Sequence, residues 1–393
     1  MKIALVVPFD ISGFLFCKAL ILDLIQRSDG QLVIIGDQFS DSSDFVDQIK
    51  DWGVPFERVK MTQHINPFRD IVYTYNLYKL FRKNNFDAVI TICTKPNIYG
   101  AIAAKLAGIK SFLPSVFGRG TAYLEDNRFS RVMLKKMLDI LYRNSFFLST
   151  RVWFTNPNDV AYFVNKGYIK REKVILTKNY IDVEKYSPKI LSSNKKTRLM
   201  DELGLLETDK VVISVGRMIY PKGVKEFVEA SKILALDHPE IKFLLVGNEE
   251  LTSPDAVPGE FLRESSKSAN FQWLGFRDDV LDLYSISHLA VLASYYREGG
   301  YPRALTEPMA MGKAVIAADT PDCRGPVEDG KNGYLVQAKD SLDLADKISK
   351  ILLDDKDISK FGDYSLVKAR SEYDERVIVG DLTTEFFSHI ASK

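Results

Sequence analysis

Long apolar runs are missing from this 393-residue chain: none approaches the roughly 18 residues that a membrane-spanning helix needs. Cysteine is scarce. Cys17, Cys93 and Cys323 lie far apart and match no Cys-x-x-Cys or Cys/His metal spacing, which excludes a disulfide framework and fits reduced thiols. Histidine is limited to His64, His238, His288 and His389, and the apolar run around His288 suits a structural role. The formal net charge of +1 offers no excess of either sign, and no nucleic-acid partner is expected. The loop after the first apolar run, Pro8-Phe-Asp-Ile-Ser-Gly13, carries one glycine. A dinucleotide pyrophosphate needs G-x-G-x-x-G there, so the loop argues against a dehydrogenase. The opening run itself, Met1 to Pro8, reads as a buried strand and not as a signal peptide.

What is present is an ordinary globular composition, 46% hydrophobic and 27% charged, over a length that suggests two domains. The charge is unevenly spread: 26 Lys+Arg stand against 18 Asp+Glu through Tyr186, and 27 against 34 after it. A basic first half hints at a phosphate-bearing or membrane-surface partner. Apolar strands alternate with helical stretches in both halves, which predicts doubly wound parallel sheets. A polar stretch from Ser187 marks an interdomain linker. The expected organisation is a first domain over 1–186, a linker over 187–208 and a second domain over 209–372. The closing amphipathic helix, 373–393, is expected to pack back onto the first domain.

Several stretches carry chemistry. After the strand Lys210 to Val215 comes Gly216-Arg217-Met-Ile-Tyr-Pro-Lys222-Gly223, then a helix. Two cations bracketed by glycines at a helix N-terminus form either a diphosphate site or a solvated loop. Ser294 to Gly312, SYYREGGYPRALTEPMAMG, sets Glu298 and Glu307 at the ends of a loop-to-helix passage. The pair suits sugar or ribose hydroxyls, or else a loop glutamate plus a helix-capping one. In the first half, Phe117-Gly118-Arg119-Gly120 is either a turn or an anion-facing loop in which backbone N–H groups and Arg119 meet a phosphate or an acceptor. Around 128–147, Arg131, Lys135, Lys136 and Arg143 interleave with apolar residues. That reads as a membrane-surface helix or as an ordinary surface helix.

The ordered set GRMIYPKG, LLVG, LGFRDD, REGGYPRALTEPMAMGKAV and NGYLV, over Val215 to Val336, resembles the donor-binding domain of glycosyltransferase family 4. The first half is similar, in its architecture and its glycine loop around Gly118, to enzymes that extend polyprenyl-diphosphate-linked sugars. The resemblance implies the α/β GT-B fold, two Rossmann-like doubly wound domains facing across a cleft. It implies that Arg217 and Lys222, with Gly216, contact the donor diphosphate, that Glu307 holds the ribose and that Glu298 faces the donor sugar. The base would lie near Gly275, Phe276 and Arg277. Gly300, Tyr301, Pro302, Arg303 and Ala304 would line the diphosphate and sugar, and Gly13, Gly118, Arg119 and Gly120 the acceptor. Glu298, Arg217 and Lys222 would carry the catalysis. No cofactor and no metal are expected, because the cations and a helix end neutralise the leaving diphosphate.

Two departures stand out. Glu298 and Glu307 enclose eight residues where the family usually has seven, and the extra one is assigned to Gly299-Gly300, absorbed as a bulge. No histidine occupies the glycine loop after the fifth strand. The implied activity is retaining transfer of an N-acetylhexosamine from a UDP-sugar to a lipid-linked saccharide in bacterial surface-glycan assembly. The protein would then be cytoplasmic, peripheral on the inner face of the membrane through the basic helix. The alternatives are a nucleotide-sugar 2-epimerase or donor hydrolase of the same fold, and a binding module without catalysis.

Overall fold

The computed structural model describes residues 1–37, 49–62, 66–119, 123, 129–188, 191–251, 253–296 and 298–391, with the backbone alone at 9–16, 130 and 389–391. The chain divides into two compact units, Met1–Thr177 with Arg376–Lys393, and Lys178–Glu375.

The first unit is built on seven strands: β1 (Ile3–Phe9), β2 (Leu32–Asp37), β3 (Phe56–Arg58), β4 (Ala88–Ile92), β5 (Ser111–Val116), β6 (Val152–Phe154) and β7 (Val174–Leu176). They lie in the order β3-β2-β1-β4-β5-β6-β7, with all paired neighbours parallel. Continuous apolar runs suit such strands because helices cover both faces. Ala4, Val6, Val33, Ile35 and Val89 pack with Tyr73, Leu77 and Phe81 of the helix Pro67–Asn84. That helix begins where Asn66 accepts the Arg69 N–H at 3.2 Å, and Pro67 follows at its first position. At the other edge Phe154 packs with Tyr142, Phe146 and Phe163. The closing helix, Glu375–Ala391, contributes buried Val379, Leu382 and Phe386. Arg27 Nη2 donates to Gly380 O at 3.3 Å and to Thr384 Oγ1 at 3.0 Å.

The second unit has six strands: β8 (Lys210–Val215), β9 (Ile241–Val246), β10 (Phe271–Trp273), β11 (Leu289–Leu292), β12 (Ala314–Ala318) and β13 (Gly333–Val336). Their order is β10-β9-β8-β11-β12-β13, again parallel. Alternate residues of one strand enter opposite cores. Val211 and Ile213 join Leu305 and Met309 of the helix Arg303–Ala310. Val212 joins Phe227 and Val228 of the helix Val224–Leu234. His288 closes the start of β11: its Nδ1 accepts the Val211 N–H at 2.9 Å, and burial lowers its pKa to about 4, so the ring is neutral. In both sheets the strand order reverses beside the first strand. The carboxyl ends of β1 and β4, and of β8 and β11, are therefore switch points, where such sheets bind ligands.

Four expectations change. The stretch 187–208 is not a bare linker: it holds the helix Ser193–Glu202, whose Leu199 is buried in the second core. The first crossing between units falls at Thr177/Lys178, before Tyr186, because the next residues are tied into the second unit, with the Ile181 N–H bonded to Tyr373 O at 2.9 Å. The run of small residues after β4 predicts a helix from Tyr99, but it starts at Thr94, since Pro96 is tolerated in a first turn that has no intrahelical donor to lose. The sequence places Gly13 at the opening of a helix over Phe14 to Gln26, but it lies inside the helix Asp10–Arg27. The helix expected over Phe45–Trp52 falls largely outside the described residues.

Candidate active site

The site in the second unit grows from the carboxyl ends of β8 and β11. β8 runs into Gly216 and Arg217, a short 3-10 turn over Tyr220–Lys222, and Gly223, which has φ 76° and precedes the helix Val224–Leu234. Two glycines make this turn possible. A Cβ on Gly223 would stand 2.3 Å from Ala293 O, and one on Gly247 would stand 1.8 Å from Gly216 O. The chain leaving β11 then lies directly on the turn: Pro221 O accepts the N–H of Tyr295 at 2.9 Å and of Tyr296 at 3.0 Å.

That contact assembles a charged cluster. Lys222 Nζ lies 2.5 Å from Glu298 Oε2, and the other Glu298 oxygen accepts from the hydroxyl of Ser294, a fully buried residue. The Tyr296 ring carries both cations, with the Arg217 guanidinium 5.2 Å and Lys222 Nζ 5.4 Å from its centroid. Behind them the Cys323 thiol is pushed up to about 12 by burial, with Glu298 adding to the shift, so it is a neutral wall and not a nucleophile.

Glu307 occupies a second cluster. Arg303 Nε donates to its Oε1 at 2.9 Å, one helical turn away, and Tyr186 also bonds to it. The Glu307 side chain is 12% exposed. Burial raises its pKa, and Arg303 and Tyr186 oppose that rise without cancelling it. Between the two glutamates, Gly299, Gly300 and Tyr301 are all left-handed, with φ 73°, 81° and 46°. This turn ends where the helix begins at Arg303. Asn179 Nδ2 holds it by donating to Gly300 O at 2.5 Å. Tyr301 packs where a Cβ on Gly325 would stand 2.3 Å from its ring. Pro302 is buried at the helix start, with Ala304 partly buried beyond it.

The remaining expected residues divide. Gly275 has φ 65° and its carbonyl accepts the Gly247 N–H at 2.8 Å; Phe276 is 70% exposed. Arg277 is occupied: it meets Asp279 through both Nε (2.8 Å) and Nη2 (2.7 Å), and Glu202 through Nη1 (2.7 Å). In the first unit Arg119 is buried and turned inward, against the expectation that it faces an anion. Its Nε donates to Asp159 Oδ1 at 2.6 Å and its guanidinium stacks 4.2 Å from the Tyr162 ring. A buried Asp159 needs that charge. Gly118 has φ 116°, and Gly120 lies outside the described residues. The helix Phe129–Leu148 exposes Phe129, Met133, Met137, Ile140 and Phe147. Among the described residues no helix is long and apolar enough to cross a membrane, and no group of three His, Cys, Asp or Glu side chains forms a metal site.

Sequence reasoning missed Ser294, Tyr296, Asn179 and Tyr186. Only Ser294, four residues before Glu298 at a strand end, had a spacing that could have signalled its role.

Family models agree with this architecture. Residues 195–366 match the model for glycosyl transferases group 1, and residues 21–152 match a glycosyl transferase 4-like model. The chain is a GT-B glycosyltransferase with a group 1 domain and a 4-like domain. The transferase is 27% identical over 383 residues to the N,N'-diacetylbacillosaminyl-diphospho-undecaprenol alpha-1,3-N-acetylgalactosaminyltransferase of Campylobacter jejuni, covering 96% of each chain. It is also 27% identical to an Escherichia coli UDP-Gal:alpha-D-GlcNAc-diphosphoundecaprenol alpha-1,3-galactosyltransferase, over 71% of this chain and 70% of that one. Its fold matches the crystal structure of Anabaena HepE in complex with UDP-glucose, with a TM-score of 0.76 and 20% identity over 99% of this chain and 100% of that one.

Proposed function

We propose that this transferase moves an N-acetylhexosamine, with retention, from a UDP-sugar to a polyprenyl-diphosphate-linked saccharide in bacterial surface-glycan assembly. The observation that carries the reading is the meeting of Arg217, Lys222 and Glu298 at the β8/β11 switch point. The names of the two undecaprenol-linked relatives support the donor and acceptor classes.

In this reading Arg217 and Lys222 bind the donor diphosphate, helped by Gly216 and the backbone from Gly300 to Ala304. Lys222 exchanges Glu298 for a phosphate oxygen, and Glu298 is freed to accept from a sugar hydroxyl. Glu307 accepts from the ribose hydroxyls, and the base lies near Gly275 and Phe276. Because Arg277 is held by two carboxylates, it shapes that loop and does not contact phosphate. As the C1–O bond to the diphosphate breaks, the acceptor oxygen attacks C1 from the same face. Its proton passes to the departing phosphate oxygen, so no protein base is required. Positive charge fixed beside that oxygen stabilises the leaving group.

The acceptor reaches the enzyme at a bilayer, which gives the exposed apolar residues and cations of Phe129–Leu148 a role. The protein then works peripherally on the inner face of the membrane. The test is mass spectrometry of a UDP-sugar panel incubated with a polyprenyl-diphosphate-linked acceptor. One sugar is transferred, nuclear magnetic resonance of the product reads its anomeric configuration as retained, and Arg217→Ala and Lys222→Ala abolish transfer. Donor consumption without acceptor, or full activity in those variants, refutes the reading.

A further inference from the structure

We infer that Tyr296 is a positioning residue that presents Arg217 and Lys222, together, to the donor diphosphate. This rests on the donor-site reading above and adds a residue to it. Arg217 and Lys222 lie on opposite ends of a turn, and nothing in their own segment draws two like charges together. The Tyr296 ring does: both cations are within 5.4 Å of its centroid. The ring is itself fixed to that turn, because the Tyr296 N–H bonds to Pro221 O at 3.0 Å, one residue before Lys222.

How a cation is held decides what it has left to offer. The donors of Arg277 point into Asp279 and Glu202, so a phosphate arriving there must displace carboxylates. Arg217 has no carboxylate partner among the described residues and is exposed. A ring attracts a guanidinium through its π electrons and puts no carboxylate on it, so its N–H groups stay available to a phosphate. An aromatic ring therefore orients Arg217 without consuming the hydrogen bonds it needs for phosphate. Lys222 is held from two sides, by Glu298 and by the ring. When Glu298 turns to the sugar, the ring still holds the ammonium in place. The tyrosine hydroxyl has no part in this.

The test measures UDP and uridine affinity of the full chain by titration calorimetry, with donor turnover alongside. Tyr296→Leu should weaken UDP about tenfold, the scale of two cation–ring contacts. It should leave uridine, which has no phosphate, unchanged, and raise KM for the donor far more than it lowers kcat. Tyr296→Phe should bind UDP as the wild type does. Wild-type UDP affinity in the leucine variant overturns the inference. So does equal loss of UDP and uridine, the mark of a ring that only supports the fold, or failure of phenylalanine to restore binding. Unchanged UDP affinity in Arg217→Ala and Lys222→Ala overturns the donor-site reading itself. If those two variants lose UDP and the leucine variant does not, only the inference about Tyr296 falls.

Discussion

Lys222 Nζ and Glu298 Oε2 are 2.5 Å apart, and their side chains are only 16% and 7% exposed. The cation proposed for the diphosphate and the carboxylate proposed for the sugar thus neutralise each other. Removing one member leaves the other charged and poorly solvated. Lys222→Met should lower stability by about 3 kcal/mol, and Lys222→Met with Glu298→Gln should recover most of it. A double-mutant cycle followed by denaturant unfolding checks this. Additive losses would mean that the two side chains do not depend on each other.

Glu307 gives a pH signature. Its folded pKa lies above the ordinary value of 4.5. The folded state therefore holds the proton where the unfolded chain has released it. Stability from this group is full at low pH and declines as pH rises from 4.5 through the folded pKa. Glu307→Gln should remove that decline. UDP affinity should move oppositely, growing as the carboxylate ionises to accept the ribose hydroxyls. Because Arg303 helps keep Glu307 charged, Arg303→Met should shift the midpoint of UDP binding to higher pH. Calorimetric titrations across pH read both effects.

Gly223→Ala tests the turn. The new methyl would meet Ala293 O in a backbone that already has φ 76°. Separation of the turn from the end of β11 should cost about 2 kcal/mol or more. It should also weaken UDP binding, since Lys222 and Tyr296 no longer share a frame. Wild-type affinity and melting temperature would refute the close approach.

On the helix Phe129–Leu148 the charges are not equivalent. Lys135 lies 5.6 Å from the Tyr162 ring centroid, whereas Lys136 and Arg143 are exposed beside the apolar stripe. Lys136→Glu with Arg143→Glu should weaken co-sedimentation with anionic vesicles at least tenfold, at about 1 kcal/mol per basic residue lost. Ile140→Asp should do so even at high salt, because it removes apolar contact and not only attraction. Unchanged binding in both variants would remove the membrane role from this helix.

The two sheets were legible because their central strands, such as Ile3–Phe9, Leu289–Leu292 and Ala314–Ala318, are unbroken apolar runs, a pattern that burial on both faces demands. The helix Ser193–Glu202 was not, since only the adjacent Leu199 and Met200 anchor an otherwise polar segment. In the site, glycines, cations and glutamates at a strand-to-helix junction were readable from their order. Tyr296 was not, because an aromatic that gathers cations from another segment leaves no spacing behind. Arg119 misled for the reverse reason. A cation between glycines looks free, and its partner Asp159 lies 40 residues onward.

The crossings at Thr177/Lys178 and Glu375/Arg376 have a consequence for biosynthesis. The second unit is complete as a stretch of chain while the first still awaits its last helix. On the ribosome the inserted unit can finish folding before its host does. A nonsense mutation near Arg376 would spare the second unit and injure the first, the one translated first.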